Sequence, residues 1–290
     1  MAPAREDTVL VTGERLQPTL PRGAAMEMPA AAQGAMPAGV DVVVIGAGIT
    51  GHSIAWRLAQ RGLSVAVFER GVVGGGASLA ATGMLAAAAE HEPGHPAFLP
   101  LALDSQRLWP QFGRDLETAP DIGIDYRDEG TLLVALTRDE VERLRFRHEL
   151  HGRDGLATRW LNGAEARLLE PALRPNVAAG IFCPEDHQGE PRLVMAALAR
   201  AFRRAGGHLV ENCAVERLEV EGGRVAGVAV PGGVCRTPIV VVATGAWSGD
   251  GGLLPLNAEI PVRPLKGQAL CLRTTAETGT LSRILWTEQV

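Results

Sequence analysis

The chain has 290 residues, of which 46% are hydrophobic, and carries a formal net charge of −5. This length and composition can bury a large core and hold one large α/β unit or two interleaved domains. We find no apolar run of about 18 residues and no basic cluster, and therefore predict neither a transmembrane segment nor a nucleic-acid partner. The cysteines are widely spaced and lack a C-x-x-C pair, which argues against a zinc site or a disulfide and favours a reduced, cytoplasmic setting. They are Cys183, Cys213, Cys235 and Cys271.

Residues 1–39 are rich in Ala, Pro, Gly and Met and show no helix or strand periodicity. They have neither a basic start nor an apolar central region, so we predict a disordered tail rather than a signal peptide.

Residues 41–51 form an apolar run that ends in G-x-G-x-x-G and leads directly into a helical pattern. This context indicates a dinucleotide-binding turn. The first glycine allows the tight turn, the second lets the backbone approach a pyrophosphate, and the third lets the helix pack on the strand. The helix N-terminus adds unpaired N–H groups and partial positive charge for the phosphates.

A second strand, predicted over 64–68, ends before Glu69, which lies 18 residues after Gly51. An acid at this distance is expected to bind the hydroxyl groups of the adenosine ribose. Its charge would repel a 2′-phosphate, which disfavours NADP despite the adjacent Arg70.

Two later segments favour FAD over NAD. Residues 74–85 are mostly small and include Ser78 and Thr82, whose hydroxyls can donate to phosphate or ribityl oxygens. A flexible Gly/Ala loop without a ligand is the alternative for this segment. Residues 238–248 read as a buried parallel strand that ends in small residues able to close on a ligand. An NAD-dependent dehydrogenase, which has no fixed need for this late strand, is the less favoured alternative.

The remaining segments predict a second domain interleaved with the first. Strands are predicted over 122–126, 130–136 and 180–183, helices over 138–150 and 191–205, and a hairpin around 221–223. The expected fold class is α/β: a Rossmann-like FAD-binding domain interleaved with an antiparallel α+β substrate domain. The expected boundaries are 40–120 and 184–257 for the first domain, and 121–183 and 258–290 for the second.

Two polar clusters offer other chemistry. Residues 90–95 contain two histidines and two glutamates, but Pro93 and Gly94 break any helix that would align them, so we predict a solvated loop rather than a metal site. Asp186 and Glu190 precede a predicted helix start, where capping is a simpler role than acid–base catalysis.

These segments, together with Pro-Leu-Lys-Gly-Gln at 264–268, resemble the D-amino-acid oxidase superfamily of flavoproteins, and within it the glycine oxidase group of the thiamine pathway. The resemblance covers about residues 40–290. It implies oxidation of a small amine or amino acid, such as glycine, sarcosine or a D-amino acid, to the imine. The imine then gives the oxo acid plus ammonia or amine, while oxygen is reduced to peroxide or another acceptor is reduced. It leaves a homo-oligomer open.

The resemblance also implies which residues hold FAD. They are Gly46, Gly48, Ile49, Thr50 and Gly51 at the pyrophosphate, Glu69 and Arg70 at the adenosine end, Ala77, Ser78, Thr82, Gly83 and Met84 along the ribityl chain and isoalloxazine, Val215 at adenine, and Ala243 and Gly245 packed on the cofactor.

Lys266 lies in a segment shared with the family, where a cation would stabilise the negative charge of a reduced flavin. Two basic residues, Arg263 and Lys266, that merely flank a turn are an equal alternative.

Two departures from the family pattern matter. Ala80 occupies the position where relatives with covalent FAD place a histidine, so non-covalent FAD is expected. The family's substrate-binding arginine lies after the segment that matches 281–290, so no catalytic residue is assigned. We therefore expect a C-terminally truncated enzyme, with an FAD-binding module without catalytic activity as the alternative.

Overall fold

The computed structural model describes residues 36–94, 97–249, 252–254, 260–270 and 281–287. The predicted tail lies outside these residues up to position 35, and Gly39 already forms a β-bridge with Arg236. The helices are α1 (Ile49–Gln60), α2 (Ala77–Ala80), α3 (Leu99–Thr118), α4 (Arg138–Arg153), α5 (Gly163–Leu169) and α6 (Pro191–Arg204). The strands are β1 (Val42–Ile45), β2 (Val65–Phe68), β3 (Met84–Leu85), β4 (Thr131–Ala135), β5 (Arg159–Asn162), β6 (Ala179–Cys183), β7 (His187–Gln188), β8 (His208–Val210), β9 (Arg217–Glu221), β10 (Arg224–Val230), β11 (Gly233–Arg236), β12 (Ile239–Val242) and β13 (Ile284–Trp286).

A parallel sheet with strand order β12-β1-β2-β8 contains the predicted dinucleotide-binding strand at an inner position. Ile45 at the end of β1 is in register with Val242 on one side and with Phe68 on the other. The three strands therefore end level, and the loops that follow them leave from the same edge of the sheet. In an open α/β sheet, that edge is where ligands bind.

The inner strands β1 and β2 are buried on both faces, which explains their continuous apolar sequences. Val42 and Val44 pack with residues of α1 and α6, whereas Val43 and Ile45 pack against the antiparallel sheet β11-β10-β9. The result is three layers: helices, parallel sheet and antiparallel sheet.

A second four-stranded sheet has the order β13-β4-β6-β5. β6 pairs antiparallel with β4 and β5, whereas β13 is parallel to β4. On one face Leu133 packs with residues of α4, and on the other Leu132 packs with Ala166 of α5. Because β13 joins this sheet after the chain has completed the parallel sheet, the two sheets are interleaved along the sequence. The four predicted domain boundaries stay predictions.

Helix α4 begins with a capping box, in which the Thr137 hydroxyl accepts from the Glu140 amide at 3.3 Å. The Glu140 carboxylate in turn accepts from the Thr137 amide at 2.9 Å. This reciprocal pair satisfies two amides that a helix start leaves without intrahelical partners. Across the described part of the chain, no helix combines the length and apolarity needed to cross a membrane.

The strand predicted over 122–126 is wrong. Asp121 and Asp125 adopt positive φ angles of 58° and 49°, which turn the chain out of a strand path. The backbone of Ile124 instead accepts from the Glu190 amide at 3.0 Å and donates to the Glu117 carboxylate at 3.1 Å. Its side chain is buried in the cluster formed by α1 and α6, and so packs with the first domain's core rather than with the second sheet.

Candidate functional site

The turn after β1 is built by close backbone contacts. Gly46 has φ of +103°, and a Cβ atom there would lie 2.4 Å from the carbonyl oxygen of Ala243. A Cβ atom on Gly51 would lie 2.0 Å from the carbonyl oxygen of Gly46. A side chain at either position would collide with backbone, so these two glycines are required by the fold itself. They also place the Ala243 segment directly against the turn.

The N-terminus of α1 has the features of an anion-binding site. Its N-cap residue, Gly48, has no side chain to cap the helix, and no acidic residue lies in the first turn. The Ile49 amide donates to the Ser78 hydroxyl oxygen at 2.9 Å. The structure therefore brings Ser78, and with it α2, over the glycine turn. An oxygen already occupies a position where amide donors and the helix dipole favour a phosphate.

The carboxylate of Glu69 holds the glycine turn. One oxygen accepts from the Ala47 amide at 2.8 Å and the other from the Gly71 amide at 2.9 Å. The sequence predicted a ribose contact for this residue but not these two hydrogen bonds. Each oxygen retains a lone pair for a ligand hydroxyl.

His52 was missed by the sequence reasoning, although it directly follows the third glycine. Its side chain is 0% exposed, and Nδ1 donates to the Ala47 carbonyl oxygen at 3.2 Å. Among the residues that the structure describes, none forms a hydrogen bond with its Nε2 atom. Burial lowers the pKa of His52 to about 4, so the ring is neutral at physiological pH. A histidine among helix residues gives no signal in sequence that its ring contacts the preceding turn.

Downstream of α2, the chain passes from the glycine turn toward the second sheet. The Gly189 amide donates to the Gly83 carbonyl at 3.0 Å, and Met84 pairs with Gln188 in the short β3–β7 ladder. Met84 packs against the cluster that covers the second sheet. Thr82, Gly83 and Met84 thus lie where the chain passes between the two sheets.

Val215 lies in the segment that follows β8. The Cys213 amide donates to the Glu69 carbonyl at 2.8 Å, and Val215 packs in the cluster that contains Phe68. The segment predicted at adenine is therefore adjacent to the segment predicted at ribose.

A second missed residue is Trp247, in the 3-10 turn Gly245–Trp247 that follows β12. The guanidinium carbon of Arg70 lies 3.8 Å from the centre of the Trp247 ring. The sequence singled out the Ala-Trp-Ser segment only as a marker of the family.

The prediction of a solvated loop at 90–95 is wrong for His91. This side chain is 7% exposed, and its Nε2 atom lies 2.6 Å from the Asp154 carboxylate. His91 is buried because the C-terminal end of α4 packs over the loop. His95 lies outside the described residues, and among those described no three His, Cys, Asp or Glu side chains are arranged to hold a metal ion.

Asp186 and Glu190, the second polar cluster, have different roles in the structure. Glu190 caps α6 by accepting from the Leu193 amide at 2.7 Å, as predicted. Asp186 is instead 0% exposed and accepts from the amides of Ala88 and Ala89, each at 3.1 Å. Burial raises the pKa of Asp186 to about 6, although these two hydrogen bonds act in the opposite direction. Its role in the structure is to hold the loop that follows β3.

Arg263 and Lys266 lie in the described segment 260–270, which forms neither helix nor strand there, and both side chains are exposed. The interaction of Lys266 with a flavin stays a prediction. A cavity of about 990 Å³ lies elsewhere, between α4 and β13, where Phe146, Arg147 and Trp286 line it. It shares no residue with the predicted cofactor site.

Known proteins resemble this chain in both sequence and structure. Glycine oxidase of Geobacillus kaustophilus (strain HTA426) is 35% identical over 236 residues, which are 80% of this chain and 61% of that protein. The bifunctional protein ThiO/ThiG of Trichormus variabilis (strain ATCC 29413 / PCC 7937) is 32% identical over 252 residues, covering 86% of this chain and 37% of that protein. The crystal structure of glycine oxidase from Geobacillus kaustophilus matches with a TM-score of 0.68 at 34% identity, covering 72% of this chain and 56% of that one.

The chain thus spans about three fifths of the length of the glycine oxidase that it matches. The family model for FAD dependent oxidoreductases (DAO) matches residues 41–289. Because that match extends over most of the sequence, from β1 to beyond β13, the chain belongs to the FAD dependent oxidoreductase family.

Proposed function

We propose that this chain binds FAD and that the protein oxidises a small amine or amino acid of the glycine, sarcosine or D-amino-acid type. The observation that carries the proposal is the N-terminus of α1, where Gly48 leaves the helix without a side-chain cap and the Ser78 hydroxyl accepts from the Ile49 amide. The identity of 35% with a glycine oxidase supports the substrate class. Because the chain covers 61% of that relative, the activity is proposed for the whole protein.

The described residues fit FAD. The absence of acidic residues in the first turn of α1 leaves its positive end available to the pyrophosphate. We assign Glu69 and Arg70 to the adenosine end, and the hydrogen bond from the Cys213 amide to the Glu69 carbonyl, which brings the segment of Val215 to Glu69, supports this assignment. Thr82, Gly83 and Met84 continue toward the second sheet, in the direction that the flavin end requires. Ala80 offers no nucleophile, so the cofactor is non-covalent.

We propose that FAD is contacted by residues of the carboxyl edge of the parallel sheet and of the segments that lead from it toward the second sheet. They are Gly46, Gly48, Ile49, Thr50, Gly51, Glu69, Arg70, Ala77, Ser78, Thr82, Gly83, Met84, Val215, Ala243 and Gly245.

Bound FAD would supply the electron acceptor for oxidation at the carbon that bears the amine. The chain's own contribution is to hold the cofactor and exclude water around it, which needs little acid–base machinery. Loss of two electrons and two protons from the amine gives an imine, and water converts the imine into the oxo acid plus ammonia or amine. We further propose a cytoplasmic location, and self-association is compatible with this function.

An absorbance spectrum tests the proposal. The purified chain is incubated with FAD, desalted, and then mixed anaerobically with glycine, sarcosine or D-alanine. Retained flavin absorbance is the result expected if the chain binds FAD. Bleaching by one of these amines would show that the substrate site is also present in this chain. Retained absorbance without bleaching would contradict turnover by this chain and support an FAD-binding module. No retained flavin would contradict the cofactor assignment, and flavin that stays with acid-precipitated protein would contradict non-covalent attachment.

A further inference from the structure

Arg70 and Trp247 lie on opposite sides of the glycine turn. Arg70 follows β2 by two residues, and Trp247 belongs to the turn after β12. In the strand order β12-β1-β2, these two strands flank β1. Because all three are parallel and end level, a contact between the loops after β12 and β2 spans the carboxyl end of β1. That is the crevice in which an open α/β sheet binds a dinucleotide.

The contact is a cation–π stack at the surface. The Arg70 guanidinium carbon is 3.8 Å from the Trp247 ring centre, and Trp247 remains 45% exposed. The ring also lies over Gly76, where a Cβ atom would be 3.5 Å from it. A tryptophan with so much exposed area adds little to the core, so its contact with Arg70 needs another explanation.

The backbone on both sides fixes the stack. Gly245 has φ of +58°, a conformation that side chains rarely adopt, and it starts the 3-10 turn. The Thr244 and Ser248 hydroxyls are 3.0 Å apart across that turn. On the other side, the Gly71 amide donates to the Glu69 carboxylate, which holds the chain next to Arg70. The backbone next to both partners is therefore held by contacts within the protein.

Stacking uses the face of a guanidinium and leaves its N–H donors free in the plane. Within the part of the chain that the structure describes, no carboxylate forms an ion pair with Arg70. We propose that Trp247 is a positioning residue: it orients Arg70 so that the guanidinium edge donates to the adenosine half of FAD, and the stacked pair closes the crevice and slows release of the cofactor. This inference rests on the proposed FAD binding.

FAD affinity and release test the inference. For each variant of the full chain, the dissociation constant is measured by titration calorimetry and the release rate by dilution into excess competing FAD analogue. A partly exposed cation–π contact predicts that Trp247→Ala weakens FAD binding and speeds release about fivefold. Trp247→Phe keeps an aromatic face and is expected to lose about half of that effect in free energy. Arg70→Lys keeps the charge but not the plane, so it is expected to resemble Trp247→Ala.

A double variant separates positioning from packing. If Trp247 acts through Arg70, Arg70→Ala with Trp247→Ala binds FAD no more weakly than Arg70→Ala alone. The matched control is Arg145→Ala. The guanidinium carbon of Arg145, on α4, lies 5.7 Å from the centre of the Trp160 ring, and removing this cation–π contact should leave FAD affinity unchanged. The inference would be overturned if the two single substitutions multiplied their effects on the FAD dissociation constant in the double variant. It would also be overturned if Trp247→Ala had the melting temperature and the FAD release rate of the wild type. Failure of the wild-type chain to bind FAD would overturn the proposed function as well, which distinguishes the two.

Discussion

Protonation of His52 is expected to destabilise the protein strongly in mild acid. In the unfolded chain a histidine titrates near its ordinary pKa of about 6.5, whereas burial lowers the pKa of the folded His52 to about 4. The hydrogen bond to Ala47 acts in the opposite direction, and the nearby Arg203 charge adds to the lowering. The unfolded state therefore binds the proton more readily, so stability is complete above about pH 6.5 and is lost as the pH falls toward 4.

The magnitude follows from the difference between the two pKa values. Each unit corresponds to about 1.4 kcal/mol, so the full difference is worth about 3 kcal/mol. At pH 5 the unfolded histidine is almost fully protonated and the folded one almost not, which gives a loss of about 2 kcal/mol relative to pH 7. This is a large part of the stability of an ordinary domain, which is about 5–15 kcal/mol.

Urea denaturation of the wild type and of His52→Asn at pH 7 and pH 5 measures this term. Asparagine places an amide donor near the Nδ1 position and does not titrate, so its hydrogen bond to Ala47 can persist. Other groups also titrate in this range, including His151, whose pKa burial lowers to about 4, and Asp186. Because they are common to both proteins, the difference between the two pH dependences isolates His52. The reasoning is refuted if the wild type and His52→Asn lose the same free energy of unfolding between pH 7 and pH 5.

Three further substitutions test other parts of the structure. Gly48→Ala places a Cβ atom 3.2 Å from the Ser78 hydroxyl, where the pyrophosphate is proposed to bind. This substitution should weaken FAD retention at least tenfold in the desalting assay. The matched control is Gly152→Ala, whose Cβ atom would meet no atom of the described residues within 4 Å. Asp186→Asn replaces one of two acceptor oxygens with a donor that faces a backbone amide, and should lower the free energy of unfolding by about 1–3 kcal/mol in urea; an unchanged midpoint would contradict the role of Asp186 in holding the loop after β3. Thr137→Ala removes the hydroxyl of the α4 capping box and should cost about 1 kcal/mol by thermal unfolding, whereas Thr137→Ser should cost less.

The sequence predicted the parallel sheet and the glycine turn because local rules determine them. Strands β1 and β2 are buried on both faces and therefore read as continuous apolar runs, and Gly51 is required by a contact with the Gly46 carbonyl within the turn. The helix from Pro191 was predicted for a similar reason: its start, capped by Glu190, is encoded in neighbouring residues.

Segments whose structure depends on distant partners were predicted less well. The run at 122–126 has the alternation of a strand, but two aspartates at positive φ turn it away from a sheet. The Glu117 carboxylate and the distant Glu190 amide satisfy the backbone of Ile124 instead. Helix α3 was not predicted, because it starts without a side-chain cap and contains Pro110 in its interior. The burial of His91 and Asp186 arises from packing between segments far apart in sequence, which no local pattern reports.

The glycine turn is held in position by the protein alone, and this bears on how tightly it can bind a dinucleotide. Ala47 lies at its centre, and the peptide groups on both sides of this residue are hydrogen-bonded. The N–H of the Gly46–Ala47 peptide donates to Glu69, while the carbonyl of the Ala47–Gly48 peptide accepts from both His52 and the Gly74 amide, at 3.2 and 2.9 Å. Neither peptide can rotate without breaking these hydrogen bonds, one of which involves a buried ring. The hydrogen bonds with Glu69, His52 and the Gly74 amide therefore hold the turn in the orientation that exposes amides to the ligand. The conformational entropy of the turn is then lost during folding rather than on binding.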